Sequence, residues 1–146
     1  MTRTTNTGVG PCINRRAQIG NRAQADAAIC IHADGGPSSG RGFHVIYPTP
    51  IRGLTDDIAA ASKRLAIDIR AAYEQGTHMP RADYVGSNGL DERNDLGGLN
   101  LSDVPKVFIE TGNMTNPTDA AKLERARFRQ RAAVALANGI KRFLTR

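Results

Sequence analysis

Two apolar runs in this 146-residue sequence each lead into a side chain that can do chemistry. One reads Ala27-Ala28-Ile29-Cys30-Ile31-His32-Ala33-Asp34, the other Val107-Phe108-Ile109-Glu110-Thr111-Gly112. A histidine after an apolar run is often an ordinary hydrogen-bonded core residue. A glutamate in that position is harder to explain, because an unpaired buried carboxylate is costly. Open α/β sheets carry their sites beyond the carboxyl ends of their strands, so the two residues at equivalent strand ends point to one shared site. An imidazole and a carboxylate there suit metal-assisted hydrolysis. The imidazole offers a neutral nitrogen ligand, zinc lowers the pKa of bound water to about 7, and the carboxylate serves as general base. Catalytic zinc takes three protein ligands, and only His32 stands in a suitable place. His44 falls in mid-strand and His78 in a long loop, and neither has ligand spacing to His32.

The surrounding pattern supplies the elements that must position this pair. A helix is expected over 14–25, followed by a buried strand over 27–31, short, continuously apolar and partly β-branched. Asp34-Gly35-Gly36-Pro37-Ser38-Ser39-Gly40 is a loop by composition, and 42–47 is a second strand closed by Pro48 and Pro50. Thr55 is a candidate N-cap with Asp56 and Asp57 in the first turn. Ile58, Ala61, Leu65, Ile69 and Tyr73 then form one apolar helical stripe, which Gly76 is expected to end. Residues 77–99 read as a long polar loop, functional or mobile by its length. A short strand is expected near 99–101 and a buried one at 107–109. Asn116-Pro117 opens a helix, with Asn as cap and Pro at the first helical position. Ala133, Leu136, Ile140 and Phe143 or Leu144 face the last helix inward. Helices alternating with apolar strands predict an α/β fold in one domain, with a mixed, mostly parallel sheet flanked by helices.

Composition removes several classes of function. Hydrophobic residues make up 40 % of the chain, enough for a core. No apolar run approaches the roughly 20 residues of a membrane span. The first twenty residues carry no stretch of signal-peptide type. The net charge of +6 is densest at Arg125, Arg127, Arg129, Arg131, Lys141, Arg142 and Arg146. With aromatics at only 5 % and no Trp, this pattern fits a solvated helix face or attraction to an anionic polymer such as a cell wall, and nucleic acid is not an expected partner. Cys12 and Cys30 lack metal-knuckle spacing. A helix and a returning strand could bring them together as a disulfide, or they stand as two inert thiols, and both readings are open here.

At the reactive residues the sequence resembles a known family. Ile31-His32-Ala33-Asp34 is similar to the Ser-Ile-His-Ala-Asn segment of the zinc-dependent N-acetylmuramoyl-L-alanine amidases of the amidase-3 type. Gly42-Phe43-His44-Val45 resembles the strand that follows there. Val104 to Asp119 resembles the strand-Glu-x-Gly-x-x-x-Asn-Pro-x-Asp signature, the end of the chain resembles the final helix, and Thr2-Arg3 and Asn14-Arg15 fit the segment before the His strand. The glycine-rich loop with Pro37 and the form of the long loop are most similar to the mycobacterial, actinobacterial branch.

This resemblance implies a peptidoglycan hydrolase that uses zinc to cleave the amide between N-acetylmuramic acid and the L-alanine of the stem peptide. His32 would be a zinc ligand and Glu110 the catalytic base. Asn113 and the 77–99 loop would be substrate contacts. The expected partner is peptidoglycan, the expected state a monomer, and the expected location of a full-length member the periplasm, the cell wall or the exterior. In the family a first His ligand and a Glu ligand precede the Thr-Arg segment, so both would precede Met1. The chain is therefore expected to be the family's domain without its opening strand and helix, and to bind zinc weakly on its own. The alternative is a non-hydrolytic peptidoglycan-binding remnant.

Overall fold

The computed structural model describes residues 10–146. The resemblance at Thr2-Arg3 falls outside the described residues. Nine elements follow in chain order: α1 (Ile13–Arg22), β1 (Ala28–Asp34), β2 (His44–Pro48), α2 (Ala59–Thr77), β3 (Leu90–Arg93), α3 (Gly97–Asn100), β4 (Lys106–Asn113), α4 (Pro117–Leu123) and α5 (Ala126–Leu144). The four strands form one sheet in the order β1-β4-β2-β3. β1 and β4 run parallel, as do β2 and β3, and the two pairs meet antiparallel at β4/β2. The expected mixed, mostly parallel sheet is what forms.

Alternation along the strands divides the sheet into two faces. Val45, Tyr47, Val107 and Ile109 turn to a core they share with Leu65, Ile69 and Tyr73 of α2 and with Phe128, Ala135 and Leu136 of α5. Leu65, Ile69 and Tyr73 are fully buried, and burying each contributes about 2 kcal/mol. The opposite face carries His32, Phe108, Glu110 and His44. Helices α1 and α3 cover its lower half, where a Cβ on Gly98 would lie 2.7 Å from the Phe108 ring.

Several expectations change in detail. Helix α2 starts at Ala59, because Thr55 is spent on the preceding turn: its hydroxyl donates to the Thr49 carbonyl and accepts from the Ile51 amide. Gly76 lies inside that helix, which ends at Thr77 with His78 in the left-handed conformation (φ 54°) as its C-cap. Glycine is required at 76 for another reason: a Cβ there would stand 2.7 Å from the Ala135 Cβ of α5. Residues 97–100 form a helical turn, and the additional strand is β3, formed by the charged segment Leu90-Asp91-Glu92-Arg93. On α5 it is Ala132 that is buried, and Ala133 and Leu144 face solvent.

Candidate active site

Strand register brings the two sequence-identified residues together. His32 of β1 pairs directly with Glu110 of β4, so both side chains leave the sheet on the same face. His32 Nδ1 lies 3.3 Å from Glu110 Oε1. Below them, the Thr111 hydroxyl donates to the His32 carbonyl at 2.7 Å, and the buried Tyr73 hydroxyl donates to the Thr111 carbonyl at 2.9 Å. These bonds pin the two strands where their register shifts, between His32 and Asp34. The site thus rests on α2 through Tyr73.

A third side chain completes the row. His44 of β2 pairs with Glu110 from the other side, so the carboxylate stands between two histidines across three adjacent strands. All three residues line a cleft of about 260 Å³ with Asp34, Phe108 and Arg93. His32 packs edge-on against the Phe108 ring, with centroids 5.1 Å apart. The sequence did not reveal His44, because its position at the start of β2 becomes informative only once that strand is known to lie antiparallel beside β4. His78, by contrast, serves as the α2 C-cap and does not line the cleft.

The electrostatics are uneven across the row. The His32 side chain is 41 % exposed, the Glu110 side chain 12 %, and His44 as a whole residue 3 %. Glu110 Oε2 and His44 Nδ1 are both buried without a hydrogen-bond partner among the described residues. Burial pushes the His44 imidazole below its ordinary pKa, against the opposing pull of the Asp34, Glu110 and Asp91 carboxylates. His44 is therefore a neutral imidazole near pH 7.

The other sequence candidates occupy different surroundings. Asn113 is fully buried and faces the loop, donating from Nδ2 to the carbonyls of Pro37 and Gly40 at 2.8 Å each. It secures the loop after β1 and is not turned to the cleft, because the two carbonyls claim its amide. Asn116 caps α4, accepting from the Thr118 and Asp119 amides, and donates to the Ser38 carbonyl. In the 77–99 segment, Tyr84 lies beneath Gly36 and Gly40 and donates to Asp34 Oδ2 at 2.8 Å, while Arg93 reaches the cleft. Cys12 and Cys30 are free thiols: Cys12 is exposed ahead of α1, and Cys30 is half-buried on β1. Burial raises the Cys30 pKa, although Lys106 and Arg16 nearby draw it down.

The donor set can be tested against a catalytic zinc. Such an ion takes three protein ligands and keeps an open position. Among the described residues no group of three or more His, Cys, Asp or Glu side chains could hold a metal ion. Residues 1–9 contain none of these types. The residues present therefore supply His32 as an accessible imidazole beside a carboxylate, with His44 buried on the other side, and do not by themselves make a three-ligand centre.

The chain is similar to known proteins in sequence and in structure. The family described as N-acetylmuramoyl-L-alanine amidase matches residues 1–142. The N-acetylmuramoyl-L-alanine amidase Rv3717 of Mycobacterium tuberculosis is 42 % identical over 144 residues, covering 99 % of this chain and 58 % of that protein. The crystal structure of the N-acetylmuramyl-L-alanine amidase Ami1 from Mycobacterium smegmatis superposes with a TM-score of 0.88 at 39 % identity, over 98 % of this chain and 65 % of that one. Apo Ami1 from Mycobacterium abscessus gives 0.87 at 41 %, over 99 % and 66 %. The chain thus spans somewhat less than two thirds of the length of these relatives. With the family's match running through both strands that carry His32 and Glu110, the chain belongs to the N-acetylmuramoyl-L-alanine amidase family.

Proposed function

We propose that the protein acts on peptidoglycan, hydrolysing the amide between the lactyl group of N-acetylmuramic acid and the L-alanine of the stem peptide. The observation that carries this reading is the contact of His32 Nδ1 with Glu110 Oε1 at 3.3 Å, in a cleft open to a polymer substrate. The family is generally zinc-dependent, and zinc supplies Lewis-acid polarisation and an activated water when bound. His32 is the imidazole placed to serve as one nitrogen donor.

Glu110 does the proton transfer. Its carboxylate takes a proton from the attacking water as the oxygen bonds to the amide carbon. It returns that proton to the alanine nitrogen as the C–N bond breaks, leaving a lactyl carboxylate and a free L-alanine amine. His32 holds the carboxylate from one side, and the Tyr73–Thr111–His32 chain of hydrogen bonds holds the strand ends. The cell wall is the place of action under this reading.

A second reading, binding of peptidoglycan without hydrolysis, is favoured by the absence of a three-donor group among the described residues. One experiment separates the two. Insoluble peptidoglycan is incubated with the protein, with zinc and with chelator, and the products are identified by mass spectrometry. New L-alanine amino termini on intact stems, in the zinc arm alone, support hydrolysis. Sedimentation with the polymer in both arms without new termini supports binding. Cleavage between sugars or within the stem contradicts both.

A further inference from the structure

The net charge of +6 is concentrated on one element. Helix α5 carries five cations, Arg127, Arg129, Arg131, Lys141 and Arg142, and no acidic residue. None of the five has a carboxylate partner among the described residues. A solvated helix face normally mixes both signs, because opposite charges one turn apart support the helix. Here Arg127 and Arg131 stand one turn apart and repel each other. Arg127 also lies in the first turn, where the positive end of the helix dipole disfavours a cation and no acid offsets it. Arg129 turns back to the Leu123 and Glu124 carbonyls, and Arg131 lies over the Phe128 ring at 5.9 Å. The remaining charge works against the helix that bears it. A polyanion outside the chain would offset it.

The layout of the face narrows the partner. Arg127, Arg131, Val134, Asn138 and Arg142 recur at spacings of three and four, and all are exposed. They form one stripe about 22 Å long. At its middle lies a groove of about 180 Å³ lined by Gly76, Gln130, Arg131, Val134, Ala135 and Asn138, with Val134 51 % exposed. Cations therefore stand at both ends of an uncharged, partly apolar waist. Such a face suits a polymer whose anions are separated by small apolar groups. The stem peptides of peptidoglycan have that character, with carboxylates set among alanine methyls. A phosphodiester chain, charged at every unit, would leave the waist unused.

We propose that the outer face of α5 is a docking surface for peptidoglycan, its cations meeting the carboxylates of the stem peptides. The inference deepens the amidase reading and rests on it. The core side of α5 packs on the face of the sheet opposite the cleft, so the two surfaces point away from each other. They engage different strands of the polymer network. A chain held through α5 keeps its cleft at high effective concentration beside neighbouring stems.

The test is sedimentation of the 146-residue protein with insoluble peptidoglycan stripped of phosphodiester polymers, with chelator present to prevent turnover. The triple variant Arg127→Gln/Arg131→Gln/Arg142→Gln should bind about tenfold more weakly, the value of three exposed charge pairs. The variant Arg15→Gln/Arg22→Gln/Arg52→Gln removes the same charge from exposed sites elsewhere and should bind as the unaltered protein does. Glu110→Gln should also bind normally. Amidating the carboxyl groups of the polymer should abolish sedimentation. With the unaltered protein, the polymer should shield Arg127, Arg131 and Arg142 from phenylglyoxal and leave Arg15 and Arg22 reactive, which locates the contact even if a variant does not fold. Equal weakening by both triple variants, or equal shielding of all five arginines, overturns the inference in favour of overall charge. Undiminished binding to the amidated polymer overturns it too, as does binding that requires the phosphodiester polymers. These outcomes bear on the docking surface alone, because the amidase reading is judged by new L-alanine amino termini.

Discussion

Asp119 Oδ2 accepts the Gly42 backbone amide at 2.6 Å, tying the first turn of α4 to the residues that lead into β2. Asp119 is fully buried, and it also accepts from the Asn113 amide at 3.3 Å and, through Oδ1, from the Arg41 guanidinium at 3.2 Å. One carboxylate thus anchors the start of the strand bearing His44 to the end of the strand bearing Glu110.

Removing that carboxylate strands buried donors on both sides. Asp119→Ala should destabilise the protein by about 3 kcal/mol. Arg41 is more than a third exposed on its side chain, so Arg41→Ala should cost under about 1 kcal/mol. Urea unfolding of the two variants checks the difference, and equal midpoints would contradict it.

Close packing of α2 on α5 makes a second prediction with an unusual sign. Replacing a mid-helix glycine by alanine normally stabilises by about 1 kcal/mol. At Gly76 the new Cβ would meet the Ala135 Cβ at 2.7 Å, and at Gly139 it would meet the Ile69 Cα at 2.9 Å. Overpacking of this kind costs about 1–3 kcal/mol, which outweighs the helical gain. Gly76→Ala and Gly139→Ala should therefore lower Tm, as thermal unfolding followed by circular dichroism would show. The same substitution at exposed Gly35, where nothing lies within 4 Å of the added Cβ, should leave Tm nearly unchanged.

The tyrosines predict behaviour at high pH. Burial raises all three phenols of the chain: Tyr47 to about 12, with Glu92 adding to the effect, and Tyr73 and Tyr84 further still. Groups with raised folded pKa values hold their protons longer in the folded state. Their stabilisation is complete below pH 10, the ordinary value, and is lost progressively as pH climbs toward and beyond 12. Phenolate absorbance should therefore be small at pH 10 in the folded protein and near half-maximal in urea. A half-ionised folded protein at pH 10 would contradict the packing of these rings.

Much of this arrangement is visible in the sequence, and the parts that are not share a cause. His32 and Glu110 stand out because each follows an apolar run that reads as a strand. The run before Glu110 is buried in β4 as expected. The run before His32 is the edge strand β1, half-buried with Ile31 60 % exposed, because β4 alone pairs with it among the described residues. Asn116-Pro117 announces α4 through local capping chemistry alone. β3 is hidden because Asp91, Glu92 and Arg93 are charged; they pair with β2 at a sheet edge, where water still reaches the side chains. His44 and Gly76 depend on neighbours distant in sequence, Glu110 and Ala135, that no local pattern names. Asn113 reads as a substrate contact by its place three residues after Glu110, but its amide is consumed by the Pro37 and Gly40 carbonyls.

Metal retention is a further expected outcome. With no group of three ligand side chains among the described residues, the purified 146-residue protein should hold zinc substoichiometrically after dialysis into metal-free buffer. Elemental analysis checks this, and one tightly held zinc per chain would contradict it.

The coupling of His32 to Glu110 is tested most directly by the rate at which new L-alanine amino termini appear on peptidoglycan under saturating zinc. Glu110→Gln and His32→Gln should each slow that rate by at least about 100-fold, and the double variant should be no slower than the weaker single one, because the two groups act as a unit. A Glu110→Gln protein that is folded and hydrolyses at the unaltered rate, or a double variant whose losses multiply, would contradict a shared site.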